Sequence, residues 1–110
     1  MIKAEWSGSY PNLCQGEWTL WVDGKDVSEK IPKNLRKNCM NTYGIYQYWY
    51  FDEKGDEIFE DYEDGLKCEE WIEKNKYWLA DISADHSVPL AIFHAVNAAD
   101  WRGGSCGGCL

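Results

Sequence analysis

The sequence predicts an α+β domain: an antiparallel sheet of three to five strands, then two C-terminal helices, with a zinc-stapled tail. Three observations carry this expectation. Short aromatic and β-branched runs separated by turn signals fill the first half. Cys68, Trp71, Ile72, Trp78, Leu79 and Ile82 then recur at helical spacing, and Pro89, Ile92, Phe93 and Val96 form a second stripe. At 110 residues, with seven Trp and seven Tyr, the chain has room for one domain, residues 1–110, and its rings bury much area per core position.

Ile2 to Trp6 reads as a first strand and Ser7 to Asn12 as loop. Glu17 to Val22 is a stronger strand, ending at Asp23-Gly24, a hairpin turn signal, with Lys25 to Ser28 as its short partner. Pro32 opens a brief helix through Lys37, and Asn38, Asn41 and Gly44 return the chain to loop. Ile45 to Phe51 sets Tyr46, Tyr48 and Tyr50 on one face and Ile45, Gln47, Trp49 and Phe51 on the other, which predicts a strand covered at least partly on both sides. Asp52 to Asp56 turns the chain, and Glu57 to Glu60 returns antiparallel. Asp64 is suited to cap a helix from about Leu66 to Leu79, and Ser87 to start another that ends at Gly103-Gly104.

The formal net charge is -8, which disfavours direct nucleic-acid binding and anionic membrane surfaces and favours a basic partner. Most acids fall in one stretch, so one face should carry a strong negative potential. No apolar run has the length of a membrane span and the N-terminus lacks a signal-peptide pattern, so a cytoplasmic location is expected.

In a reducing compartment, five cysteines read as metal ligands or thiols before disulfides. Cys106-Gly107-Gly108-Cys109 is a C-x-x-C knuckle, the spacing that brings two thiolates to one tetrahedral zinc. A redox motif of this spacing needs a helix beginning at its first cysteine, and only Leu110 follows Cys109. A closed site needs two more ligands. Cys14, in an irregular run, is favoured first, and Cys68, at the start of a helix whose dipole favours a thiolate, second. Cys39 reads as a free loop thiol and is the reserve ligand, His94 reads as a helix-flank histidine and His86 as solvated, and Cys68 also reads as a small buried hydrophobe.

No phosphate loop, nucleophile elbow or H-E-x-x-H helix is present, and the closely spaced acids are too many and too uniformly placed on loop and helix surfaces to single out an acid/base pair. A non-catalytic protein is expected. An exposed Tyr or Trp beside the acids would suit a protein partner.

Tyr10-Pro11-Asn12-Leu13-Cys14 with Gly16-Glu17-Trp18, Asp23-Gly24-Lys25-Asp26-Val27-Ser28, Phe59-Glu60-Asp61-Tyr62-Glu63-Asp64-Gly65-Leu66 and Ser105-Cys106-Gly107-Gly108-Cys109 span nearly the whole chain. Together they resemble small proteins of phages and mobile elements in Gram-positive gut bacteria, among them zinc-containing type II-A anti-CRISPR inhibitors. The resemblance implies a viral protein for evading host defence, which binds the bacterial type II CRISPR effector nuclease and blocks its target-DNA binding or cleavage. Such nucleases hold nucleic acid in basic channels, and a face built from Asp52, Asp56, Glu57, Glu60, Asp61, Glu63, Glu69, Glu70 and Glu73 could occupy one. The alternatives are an inhibitor of another host defence and a zinc-stabilised protein-interaction module.

Overall fold

The computed structural model describes residues 1–9, 12 and 14–103, apart from the side chain of Tyr48. The alternating run at the N-terminus forms β1 (Ile2–Trp6), which pairs antiparallel with β2 (Trp18–Val22), Ala4 lying opposite Leu20. Asp23 and Gly24, at φ 52° and 81°, make the tight turn that joins β2 to the short β3 (Lys25–Asp26). Both left-handed residues suit the right-handed twist of a hairpin, as Asp-Gly predicts. The sheet order is β1-β2-β3.

A 3-10 turn at Ser28–Lys30 and the short α1 (Lys33–Arg36) lead to the second half. There β4 (Gly44–Phe51) and β5 (Glu57–Asp64) form a separate two-stranded sheet, followed by α2 (Cys68–Ile82) and α3 (Ser87–Ala98). The α+β class, the antiparallel pairing and the two C-terminal helices of the sequence reading hold, but the strands divide into sheets of three and two. The helix α2 starts later than expected because Gly65, at φ 86°, turns the chain first. Asp64 does not cap it: its carboxylate accepts from Gly65 N at 2.8 Å and from Arg102 Nη1 at 2.9 Å. Ser87 is itself capped, its amide and hydroxyl both donating to Asp85 Oδ1. That pair of bonds holds the Asp85 carboxyl below the usual range. The helix α3 stops at Ala98, and a 3-10 turn, Trp101–Gly103, carries the chain back across Trp6, ring centroids 5.4 Å apart.

The core lies between the three-stranded sheet, α2 and α3. Trp18 and Leu20 point into it from β2, Trp71, Trp78 and Leu79 from α2, and Ile92, Phe93 and Val96 from α3. Trp71 is fully buried and stacks edge-on with Trp78 at 5.9 Å and Phe93 at 5.6 Å. Each such indole removes roughly 200 Å² from water, about 5 kcal/mol before the entropy of ordering is counted. Its N–H must find an acceptor, and each does: Trp18 donates to the Asn38 carbonyl at 2.9 Å, Trp71 to the Met40 carbonyl at 2.8 Å, and Trp78 to Asn75 Oδ1 at 3.0 Å. The two backbone acceptors tie the irregular segment between α1 and β4 to the core.

Candidate functional site

The hairpin β4–β5 stands away from this core. The Cα radius of gyration is 15.7 Å and the principal extents are 55 × 26 × 23 Å, where a compact chain of this length would have a radius of about 13 Å. Paired strands of this length reach about 27 Å, which accounts for the long axis. Beyond its own pairing, the hairpin meets the body chiefly where β4 lies against the 3-10 turn Trp101–Gly103.

That junction is a charged latch. The Arg102 guanidinium lies 4.9 Å from the Tyr46 ring centroid and donates to Asp100, to the Thr42 carbonyl at 3.0 Å and to Asp64 at 2.9 Å. Tyr46 Oη donates to Asp100 Oδ2 at 3.1 Å. The Asp100 and Arg102 side chains are 3% and 11% exposed. Burial opposes the charge on Arg102, but the hydrogen bonds and negative charge of Asp100 outweigh it and hold the guanidinium protonated. Burial, then the Asp100 charge, pushes the Tyr46 hydroxyl up to about 12. Beside the latch, Leu66 N donates to the Asn41 carbonyl and Tyr43 N to the Leu66 carbonyl, so both ends of the hairpin are stitched together.

The register sets the two faces. Tyr46 lies opposite Tyr62 and Trp49 opposite Phe59, so Tyr46, Tyr62 and Asp64 share the face that closes on the latch. The other face carries Ile45, Trp49, Phe51 and Phe59, exposed by 61%, 57%, 58% and 58%. Trp49 and Phe51 pack edge to face with centroids 5.3 Å apart. The sequence analysis expected partial cover on both sides of this strand. Among the described residues cover is confined to the latch itself, where Tyr46 is buried while Tyr50 and Tyr62 on the same face stay exposed, because the second sheet is not packed on the first. Glu57, Asp61 and Glu63 share the open face with the rings, so the apolar stripe is bordered by carboxylates.

The other acids named from the sequence are dispersed. Glu60 lies on the latch face and accepts from Tyr50 Oη at 2.8 Å, a bond that raises the tyrosine's pKa. Asp52 closes the hairpin turn, accepting from Lys54 N and Asp56 N at 2.9 Å each, with Asp56 beside it. Glu69, Glu70 and Glu73 belong to the first turns of α2, where Glu73 pairs with Lys76 at 2.7 Å. They are on the body, not the arm. Sequence reading missed Arg102 and Asp100 because their partners are 38 or more positions away, apart from each other; an Asp-x-Arg pair just after a helix is too common a signal to single them out.

Cys106 and Cys109 lie outside the described residues. Cys14 is disulfide-bonded, where the sequence reading expected a thiolate, while Cys39 and Cys68 carry free thiols. A disulfide sulfur has no thiolate to offer zinc. Cys68 is half-buried against the core, and burial, then Glu69, pushes its thiol up, against the expected influence of the helix dipole. Among the described residues no cluster of three His, Cys, Asp or Glu groups could hold a metal, and no helix is long and apolar enough to cross a membrane.

Fold and site together define a small α+β domain that holds an aromatic, acid-bordered hairpin clear of its core. The chain belongs to the PM0253 family, whose profile matches residues 4–99. It is 35% identical over 113 residues to the protein PM0253 of Pasteurella multocida strain Pm70, named only as an uncharacterised protein, covering 97% of this chain and 90% of that one. No solved structure matches. The matched segment contains the whole hairpin and ends before Asp100, Arg102, Cys106 and Cys109.

Proposed function

We propose that this protein is a non-catalytic inhibitor that grips a basic protein partner with the open face of its hairpin, acting in the cytoplasm of a bacterial host. The carrying observation is that Ile45, Trp49, Phe51 and Phe59 are each more than half exposed on the face that also bears Glu57, Asp61 and Glu63. Contiguous apolar surface is costly to leave in water and marks binding sites. Aromatic anchors ringed by polar groups supply most of the affinity at protein interfaces, and complementary charge supplies the rate of encounter. The partner follows from the family resemblance: the type II CRISPR effector nuclease, with target-DNA binding or cleavage blocked by occupation of a basic channel. Zinc belongs to this proposal as a ligand of the reduced chain, through Cys14, Cys68, Cys106 and Cys109.

The test is a DNA-cleavage assay with purified, guide-loaded nuclease, together with measurement of complex formation. The wild-type protein should inhibit, and Trp49→Ser with Phe59→Ser should weaken binding at least thirtyfold, the loss of a hot spot of about 2 kcal/mol. Reversing Glu57, Asp61 and Glu63 to Lys should slow association and flatten its salt dependence. If the nuclease cleaves at full rate and forms no complex, it is the wrong partner. If the aromatic double variant inhibits as wild type does, the arm is the wrong surface.

A further inference from the structure

The two strands of the hairpin differ sharply in charge. The β5 strand, Glu57-Ile58-Phe59-Glu60-Asp61-Tyr62-Glu63-Asp64, has five acids in eight residues. Its partner β4, Gly44-Ile45-Tyr46-Gln47-Tyr48-Trp49-Tyr50-Phe51, has no charged residue and no proline over the same length. In a sheet of two strands both have an outer edge, and among the described residues no further strand pairs with either. Soluble proteins protect long edges with charge, proline, bulges or brevity, because the exposed amides and carbonyls template another strand. The β5 edge has that protection and the β4 edge has none. The ladder between them is unbroken from Gly44–Asp64 to Phe51–Glu57, so no bulge turns β4 aside. A two-stranded sheet is also marginal in water without further cover.

We infer that the β4 edge is covered in solution by the β4 edge of a second copy, giving a twofold, four-stranded antiparallel sheet in the order β5-β4-β4-β5. Charge selects this occupant. Each chain carries a net charge of -8, so two copies associate only where their acids stay apart. Pairing β4 on β4 separates the acidic strands by three strand spacings, about 14 Å, beyond the Debye length of about 8 Å at physiological salt. Pairing β5 on β5 would set like charges about 5 Å apart. A basic strand would find the same backbone groups on β4, but its charges would lie nearest the acids on the β5 edge, which draws it there instead.

An axis perpendicular to the sheet keeps like face with like face, so residues of the open face meet residues of the open face. With the axis near Gln47, Trp49 of each copy stands opposite Ile45 of the other. The aromatic stripe then runs unbroken across both hairpins, a surface twice as wide with acids along its outer margins. This inference concerns the edge of β4 and does not depend on which partner the open face takes.

Sedimentation equilibrium of the full chain, with Gln47→Glu and Gln47→Lys variants, tests it. Gln47 is exposed but stands opposite Asp61 and donates to its carboxylate at 3.5 Å, so Gln47→Lys should melt at or slightly above wild type and Gln47→Glu slightly below it, both remaining folded. The wild-type chain should dimerise reversibly. Near a twofold axis a charge of either sign meets itself, so both variants should dimerise roughly fivefold more weakly, the scale of a like-charge cross-strand pair. An equimolar mixture of the two should recover wild-type association or better. A wild-type chain that is monomeric at about 1 mM, the weakest association worth the name, overturns the proposal. So does a dimer that neither variant weakens, or one that the two variants shift in opposite directions, which would mark an edge that takes a charged partner.

Discussion

Replacing Arg102 by alanine should cost this protein about 3 kcal/mol and loosen the hairpin before the core. The magnitude follows from what is left behind. Asp64 is 53% exposed, so its carboxylate rehydrates and contributes little. The Asp100 carboxylate is 3% exposed and keeps only the Tyr46 hydroxyl and the backbone amide of residue 102 as donors. Removing one member of a buried ion pair costs about 3–5 kcal/mol because the other is stranded; the two remaining hydrogen bonds place this case at the lower end. For 110 residues the entropy of unfolding is about 230 cal/mol/K, so 3 kcal/mol lowers Tm by about 13 °C. Thermal unfolding by circular dichroism reads that loss, and hydrogen exchange locates it, with β4 and β5 amides losing protection ahead of those in α2 and α3. Arg102→Ala combined with Asp100→Ala should recover at least half the loss, since no charge is then left buried. A fall in Tm of less than about 3 °C, or a double variant less stable than the single one, would refute the latch as the hinge of the arm.

Gly65→Ala should be as damaging for a different reason: its Cβ would lie 2.2 Å from the Thr42 carbonyl oxygen, at a φ of 86°. Gly55→Ala at the hairpin tip, φ 84° with open space around it, carries the left-handed penalty alone, about 1 kcal/mol, so the difference in Tm between the two measures the clash. A second expectation concerns pH. The Tyr46 hydroxyl is raised from 10.0 to about 12 in the fold, so the stability it contributes is complete below about pH 10 and declines as pH rises toward 12, where the unfolded chain releases that proton first. Melting curves across that window should flatten in Tyr46→Phe; an unchanged slope would separate Tyr46 from the effect. Zinc is checked by elemental analysis of protein prepared with and without reductant: about one equivalent is expected with reductant and much less without, and none in either removes the zinc site.

The periodicity of residues 68–82 and 87–98 placed α2 and α3, and Asp23-Gly24 placed the first turn, because those signals are local: a helical stripe or a left-handed pair decides its own backbone. Alternation placed β4 as well, and with it the grouping of Ile45, Trp49 and Phe51 on one face. The sequence does not reveal that none of the described residues covers this face. An aromatic strand buried between layers and one standing in water have the same pattern, and only the docking of one sheet relative to the other distinguishes them.

The acids show the same division. Composition alone determined that the chain is acidic, because net charge is a sum over residues and needs no coordinates. Tertiary structure decided which carboxylates can act together. Period-two alternation separates Glu57, Asp61 and Glu63 from Glu60, the turn engages Asp52 in its own hydrogen bonds, and the break at Gly65 carries Glu69, Glu70 and Glu73 onto the body. Arg102 became legible only there too, since a guanidinium that joins Thr42, Asp64 and Asp100 is defined by where the folded chain returns, and sequence spacing has no measure of that.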